Sequence, residues 1–249
     1  MTDAHCHVSC GDSSVRELLV GRDFFGVHPW ETLEECKAEK RKVEEELRSK
    51  LIANPKAGVG EIGLDRLKVR DIPPLMREVF ESQLALALEL RRPVVLHGAK
   101  CWGQVVTTVC RHLSHSPTPP LPHSPTPSVL FHGFSRSDGL IPEIVELNGF
   151  ISVGPAVLND HAVNYRELVK KIPLDRLLVE TDRTEKTIMN DELRIMNNGR
   201  KSSSIHNSSF IIQHSIYDVL NKTAEVIGIS AAELEKTTDE NADRFLGAV

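Results

Sequence analysis

The sequence has no apolar run near the roughly 18 residues a membrane span needs, so no transmembrane segment is expected. It also lacks the basic-then-apolar opening of a secretory leader, and nothing in it directs the chain to export. Cysteine is scarce and unpaired in pattern. Five residues, an odd number with no Cys-x-x-Cys, exclude the disulfide framework of a small secreted domain and point to a reducing compartment, the cytoplasm or nucleus. Nor is there an excess of positive charge. A formal net charge of -5 and a pI near 6.1 exclude a broadly cationic nucleic-acid surface. They leave open an enzyme whose metal ions supply positive charge locally.

What is present is an ordinary globular composition: 249 residues, 40% hydrophobic and 26% charged, enough for one large core. Short β-branched runs alternate with longer amphipathic stretches, the pattern of repeated βα units around a parallel sheet. Strands are predicted over 2–5, 23–27, 57–62, 93–97, 129–132, 150–153 and 176–181. Helices are predicted over 31–51, 75–90, 102–113, 140–147, 163–171 and 211–227, followed by a capping box at Ser230-Ala-Ala-Glu233. Most of these strands end in His, Glu or Asp. A barrel gathers its strand C-termini around one mouth, whereas an open sheet spreads them along an edge at about 4.8 Å per strand. The expectation is therefore an α/β fold, a distorted TIM-type (β/α) barrel, as a single domain over residues 1–249. Two stretches interrupt it: a Pro/Ser-rich surface insert at 114–127, containing "HSPTPPLPHSPTP", and a polar loop over 185–209.

The chemistry starts at "DAHCH", residues 3–7. In an extended strand His5 and His7 project to one face, a chelate geometry for a divalent metal, while Cys6 points the other way, outward against a helix. Other strand ends add Glu61, His97, His132 and Asp182. Four imidazoles and two carboxylates are enough to hold two divalent ions with a shared carboxylate. His115 and His123 sit in the Pro-rich insert, which cannot preorganise a site, and are not counted. The run "EECKAEKRKVEEELRSK" interleaves both signs and reads as a solvated helix.

"DAHCH", "GVHPW", "GEIGLD", "PVVLH", "VLFHGFSRS", "PLDRLLVETD" and "TTDENADRFL" occur in the order seen in the TatD family, metal-dependent hydrolases of the amidohydrolase-like barrel superfamily described as Mg²⁺-dependent deoxyribonucleases. The chain resembles that family over nearly its whole length. The resemblance implies cleavage of DNA phosphodiester bonds, by exonuclease action, with a two-metal activated water. By position, His5, His7 and Asp182 would hold one ion and His97 and His132 the other, with Glu61 between them. The ions expected are Mg²⁺ first, with Mn²⁺ or Zn²⁺ as alternatives. Asp182 and Glu61 would be catalytic, Asp182 by accepting the water's proton. His28 resembles the family's His-Pro histidine and would contact substrate phosphate, its alternative being a strand-end hydrogen bond. Asp65 either orients a ligand or closes a turn. Arg136 either meets a phosphate or is solvated.

The chain also departs from the pattern. Relatives place a full βα unit or more between the His-x-His strand and the Gly-x-His-Pro strand; here only residues 8–27 intervene. "SSVRELLV" then reads as a short connecting helix, and the barrel as seven-stranded, strained or partly open. Arg183 follows Asp182 where relatives carry a small residue, either to grip phosphate or to distort the loop, and Ala99 stands where relatives often have arginine. These departures keep two alternatives in view. One is a metal-dependent hydrolase of a small amide, ester or phosphate. The other is a weakened barrel that binds a protein partner through the Pro-rich insert. A monomer or weak oligomer is expected.

Overall fold

Strands buried on both faces are expected wherever a short β-branched or aromatic run lies between helices. The structure, a computed structural model, describes residues 1–34, 40–114, 127–184 and 215–247. Its strands are β1 (Thr2–Cys6), β2 (Arg16–Leu19), β3 (Phe24–Phe25), β4 (Gly58–Asp65), β5 (Val94–Ala99), β6 (Val129–Phe131), β7 (Gly149–Val153) and β8 (Leu177–Val179). All pairings are parallel. β1 and β2 form one sheet, and β3 to β8 form a second in chain order. The helices are α1 (Glu31–Glu34), α2 (Lys40–Ala53), α3 (Pro74–Glu89), α4 (Trp102–Ser114), α5 (Ile141–Glu146), α6 (Val163–Val169), α7 (Ile216–Ile227) and α8 (Ala231–Leu246). Among the described residues no helix is long and apolar enough to cross a membrane.

Two apolar layers give the architecture. The inner one takes Ala4, Leu18, Phe24, Val95, Leu130, Phe150 and Leu178 from seven of the strands, closed from below by Ala242 and Phe245 of α8. The Phe245 ring lies 5.9 Å from both Phe24 and Phe150. The outer layer packs the opposite strand faces against the helices, for instance Leu64 and Val94 against Phe80, Leu84 and Val105. Side chains alternating into an inner and an outer layer are the mark of a TIM-type barrel. At the seams single bonds replace ladders. Val20 bridges to Phe24, the Asp182 N–H reaches the His5 carbonyl at 3.0 Å, and the His7 N–H reaches the Arg183 carbonyl at 2.8 Å.

Three local expectations change. Residues 16–19, read as part of a helix, form β2, so the described residues contain eight strand segments where seven were expected. Leu18 enters the inner layer and Glu17 is buried, and that tertiary burial outweighs helix propensity. β3 is cut to Phe24–Phe25. The reciprocal capping box belongs to Ser215 and Asp218 at the start of α7, while Ser230 makes only the bond from the Glu233 N–H. The stretches 115–126 and 185–209, taken as insert and mouth loop, lie outside the described residues.

Candidate metal centre

Glu61 stands near the middle of β4 with its side chain 3% exposed, and its two oxygens face different neighbours. Oε1 lies 2.6 Å from His97 Nδ1, 2.6 Å from His132 Nε2 and 3.7 Å from His28 Nε2. Oε2 lies 3.5 Å from His5 Nε2 and 3.4 Å from His7 Nε2. On that second side Asp182 Oδ1 completes a triangle, 3.7 Å from His5 and 3.5 Å from His7. The six residues read from the sequence as ligands are thus brought together, and His28 joins them. Among the described residues three sets have ligand atoms mutually within 4.8 Å: His5, Glu61 and His132; His5, His7 and Asp182; His28, Glu61 and His97.

Each position follows from local backbone. His5 is the fourth residue of β1, fully buried, and His7 lies one residue past its end, 32% exposed. His97 sits on β5, drawn in because β4 and β5 approach closely at Gly63. With φ at 150°, a Cβ there would stand 2.0 Å from the His97 carbonyl oxygen, so only glycine fits. His132 follows β6 directly, its N–H bonded to the Leu96 carbonyl at 3.2 Å. Asp182 adopts φ 48°, the left-handed region, pinned there by its bond to the His5 carbonyl. A non-glycine residue held in that region by its surroundings is what a site with a fixed carboxylate requires.

The electrostatics are those of carboxylates awaiting positive charge. Burial pushes Glu61 up, but His132, His5 and His7 around it hold it well below the usual carboxylate range. Burial likewise opposes the charge on His132, yet Glu61 and Glu180 keep it well above the ordinary imidazole value. The contacts with Asp182 and Glu61 raise His7 to about 9. Asp182 is held below its ordinary value: desolvation works against its charge, and the neighbouring histidines outweigh it. His28 goes the other way, lowered to about 4 by burial.

Do these residues fit a cation? His5 is completely buried, and neither of its ring nitrogens has a hydrogen-bond partner. A buried imidazole normally bonds something, and here its Nε2 faces two carboxylates at distances too long for hydrogen bonds. A divalent ion held by His5, Glu61 and Asp182 would satisfy all three groups. The imidazole–carboxylate donor set suits Mg²⁺, Mn²⁺ or Zn²⁺.

Supporting residues complete the picture. Asp65, buried, sets its Oδ2 2.7 Å from His97 Nε2 while its Oδ1 accepts the Leu67 N–H at 2.5 Å. Its two oxygens thus bond the His97 ring and the turn at Leu67. Arg136 is exposed at φ 62° and makes no hydrogen bond or ion pair with the cluster. Arg183 turns from the cluster to Glu17, 3.4 Å away, with both side chains buried. Cys6 is buried as expected, but its thiol reaches the Leu18 carbonyl of β2 and not a helix. Sequence reasoning missed Glu180. This carboxylate is 1% exposed, accepts the Gly133 N–H at 2.8 Å and lies 3.6 Å from His132 Nδ1. The period-2 argument that selected residues 5 and 7 selects 180 along with 182.

Comparison with known proteins follows the same lines. Residues 21–247 match the family described as TatD related DNase. The chain is 32% identical over 124 residues to "Uncharacterized metal-dependent hydrolase YabD" of Bacillus subtilis, a match spanning 50% of this chain and 45% of that protein. It is 30% identical over 220 residues to "3'-5' ssDNA/RNA exonuclease TatD" of Pectobacterium atrosepticum, spanning 88% of this chain and 75% of the relative. Human "3'-5' RNA nuclease TATDN2" is 32% identical over 162 residues, 64% of this chain and 19% of that one. In three dimensions the chain resembles the TatD homolog YjjV of Escherichia coli, with a TM-score of 0.64 at 21% identity, over 94% of this chain and 78% of the other. A family match over all but the first twenty and last two residues leaves one assignment: the chain belongs to the TatD family.

Proposed function

We propose that the protein is a divalent-metal-dependent phosphodiesterase that removes nucleotides from single-stranded nucleic acid, DNA first and RNA as the alternative substrate. The observation that carries this reading is Glu61, which presents one oxygen to each half of the cluster. His5, His7 and Asp182 would hold one ion, His97 and His132 the other, with Glu61 shared and His28 at the edge of the second set. Ions held by such a set supply Lewis acidity and bring the pKa of water down towards neutrality. Relatives named as 3'-5' exonucleases of DNA or RNA point to a nucleic acid as the substrate.

The chain's own residues supply the rest. Asp182 is the half-exposed carboxylate of the cluster and stays ionised, so it accepts the proton of the attacking water. The Trp30 N–H donates to His28 Nδ1 at 3.1 Å, which leaves the proton of the neutral ring on Nε2, facing the cluster. There it can donate to a phosphate oxygen as charge builds up. Asp65 accepts from His97 Nε2 and so turns Nδ1 inward.

The test is release of nucleotides from single-stranded DNA and RNA labelled at either end, with Mg²⁺ or Mn²⁺ and with EDTA. Wild type should cleave only with metal. Asp182→Asn should lose about 10²–10⁴-fold in rate while staying folded. A folded, metal-loaded protein that cleaves neither substrate would refute the reading in favour of a small-molecule hydrolase.

A further inference from the structure

The cluster's outer wall carries a tryptophan whose indole ring the chemistry above does not use. Trp30 is half-buried, two residues after His28. Its ring centroid lies 5.0 Å from that imidazole and 6.5 Å from His97. Lys68, exposed on the loop after β4, places its ammonium 3.7 Å from the centre of the indole. Among the described residues Lys68 has no acidic partner, and neither do Arg66 and Arg70 on the same loop. In a chain of net charge -5, the loop over residues 66–73 sets these three cations against one carboxylate, Asp71, at the rim of the cluster. The loop is anchored at its root, where the Leu67 N–H bonds Asp65, the same carboxylate that orients His97.

Resting on the nucleic-acid reading, we infer that Trp30 and Lys68 form a nucleotide subsite beside the cluster: the indole stacks a base and the ammonium takes the adjoining phosphate. An exposed ammonium over a half-buried ring at the surface is weakly held. Lys68 can therefore swing from the indole to a phosphate as the base takes its place, and no buried contact is broken. Stacking on an aromatic face tolerates any base, which suits an enzyme that works along a strand whatever its sequence. The indole lies against both His28 and His97, so a base on Trp30 sets its own phosphate next to the reacting groups. A small ester or amide without a planar ring would gain nothing from this arrangement.

The test uses the full chain in EDTA, where cleavage is blocked, and a short thymidine oligonucleotide beside a copy of the same length made abasic throughout. Binding is followed by anisotropy of a labelled strand and by quenching of tryptophan emission. The other tryptophan, Trp102, is buried against Phe131 and Phe134, so quenching reports on Trp30. Wild type should bind the abasic strand about tenfold more weakly. Trp30→Leu should bind both strands alike, and Trp30→Phe should recover most of the difference. Lys68→Gln should lower the slope of log affinity against log salt by about 0.7. An abasic penalty that survives in Trp30→Leu overturns the inference alone, as does equal binding of both strands by wild type. Absence of any binding by wild type overturns it together with the nucleic-acid reading.

Discussion

Glu17 is the residue whose removal should tell most about how the site is held. It lies on β2, its carboxylate accepts from Ser9 Oγ and from the Cys10 N–H at 2.6 Å, and it pairs with Arg183 at 3.4 Å. The Arg183 carbonyl in turn accepts the N–H groups of His7 and Val8 at 2.8 and 3.1 Å. One carboxylate thus ties the segment after His7 to the segment after Asp182. Both partners of the pair are only 6% exposed, so Glu17→Ala leaves a guanidinium buried without a counter-charge. Removing one partner of a buried pair costs about 3–5 kcal/mol. In a chain of this size each kcal/mol is worth about 2–4 °C, so the melting temperature should fall by roughly 6–20 °C. Urea unfolding should show a lower midpoint at an unchanged slope. The double variant Glu17→Leu with Arg183→Met should regain most of the loss, since apolar groups of similar volume leave no charge stranded. A loss below about 1 kcal/mol in the single variant, or a double variant no better than the single, would refute the reasoning.

Other perturbations have equally definite outcomes. Burial raises Asp3 to about 6, even though it accepts the Thr181 N–H at 2.9 Å and the Thr181 hydroxyl at 2.6 Å. The folded state therefore favours the acid form. The stability this group contributes is complete below its unfolded value of 3.8 and is lost as pH rises through about 6. In EDTA, Asp3→Asn should add up to about 3 kcal/mol at pH 7 and nothing near pH 3, by denaturant titration. With His7 at about 9 in the metal-free protein, Mn²⁺ must displace its proton at pH 7. Affinity should rise with pH up to about 9, and calorimetry in buffers of different ionisation enthalpy should detect the released proton. Gly63→Ala should cost several-fold more in metal affinity than Gly139→Ala, because a Cβ at residue 63 meets the His97 carbonyl while one at residue 139 meets nothing. Asp65→Asn should weaken Mn²⁺ binding by about 10–100-fold, by loosening the orientation of His97, with little change in melting temperature.

The parts legible in the sequence are those where chemistry and period coincide. Strand ends bearing His, Glu or Asp stand out against apolar runs, and they gather His5, His7, Glu61, His97, His132 and Asp182 from the sequence alone. The β2 segment was not legible, because Arg-Glu-Leu-Leu is good helix sequence. Only the space beside β1 and the Glu17–Arg183 pair make it a strand. The side on which Arg183 lies was equally hidden, since a residue next to a ligand can face either way until its partner across the fold is known. Asp65 could be read two ways because its two oxygens do two things. The nearness of Lys68 to Trp30 joins two separate loops, and no spacing rule reaches across them.

The break between the two sheets has a dynamic consequence. β1 and β2 are laddered only to each other, and their backbone joins the six-stranded sheet and the segment after β8 through a few single bonds. His5 and His7 ride on this small unit, while Glu61, His97 and His132 belong to the continuous ladder. Opening of a protein proceeds by cooperative units bounded where hydrogen bonding is thinnest. The amides of β1 and β2 should thus exchange with solvent well before those of β4 to β7. One half of the cluster is then hinged and the other fixed, so the centre can come apart by a swing of two histidines while the rest of the barrel stays folded.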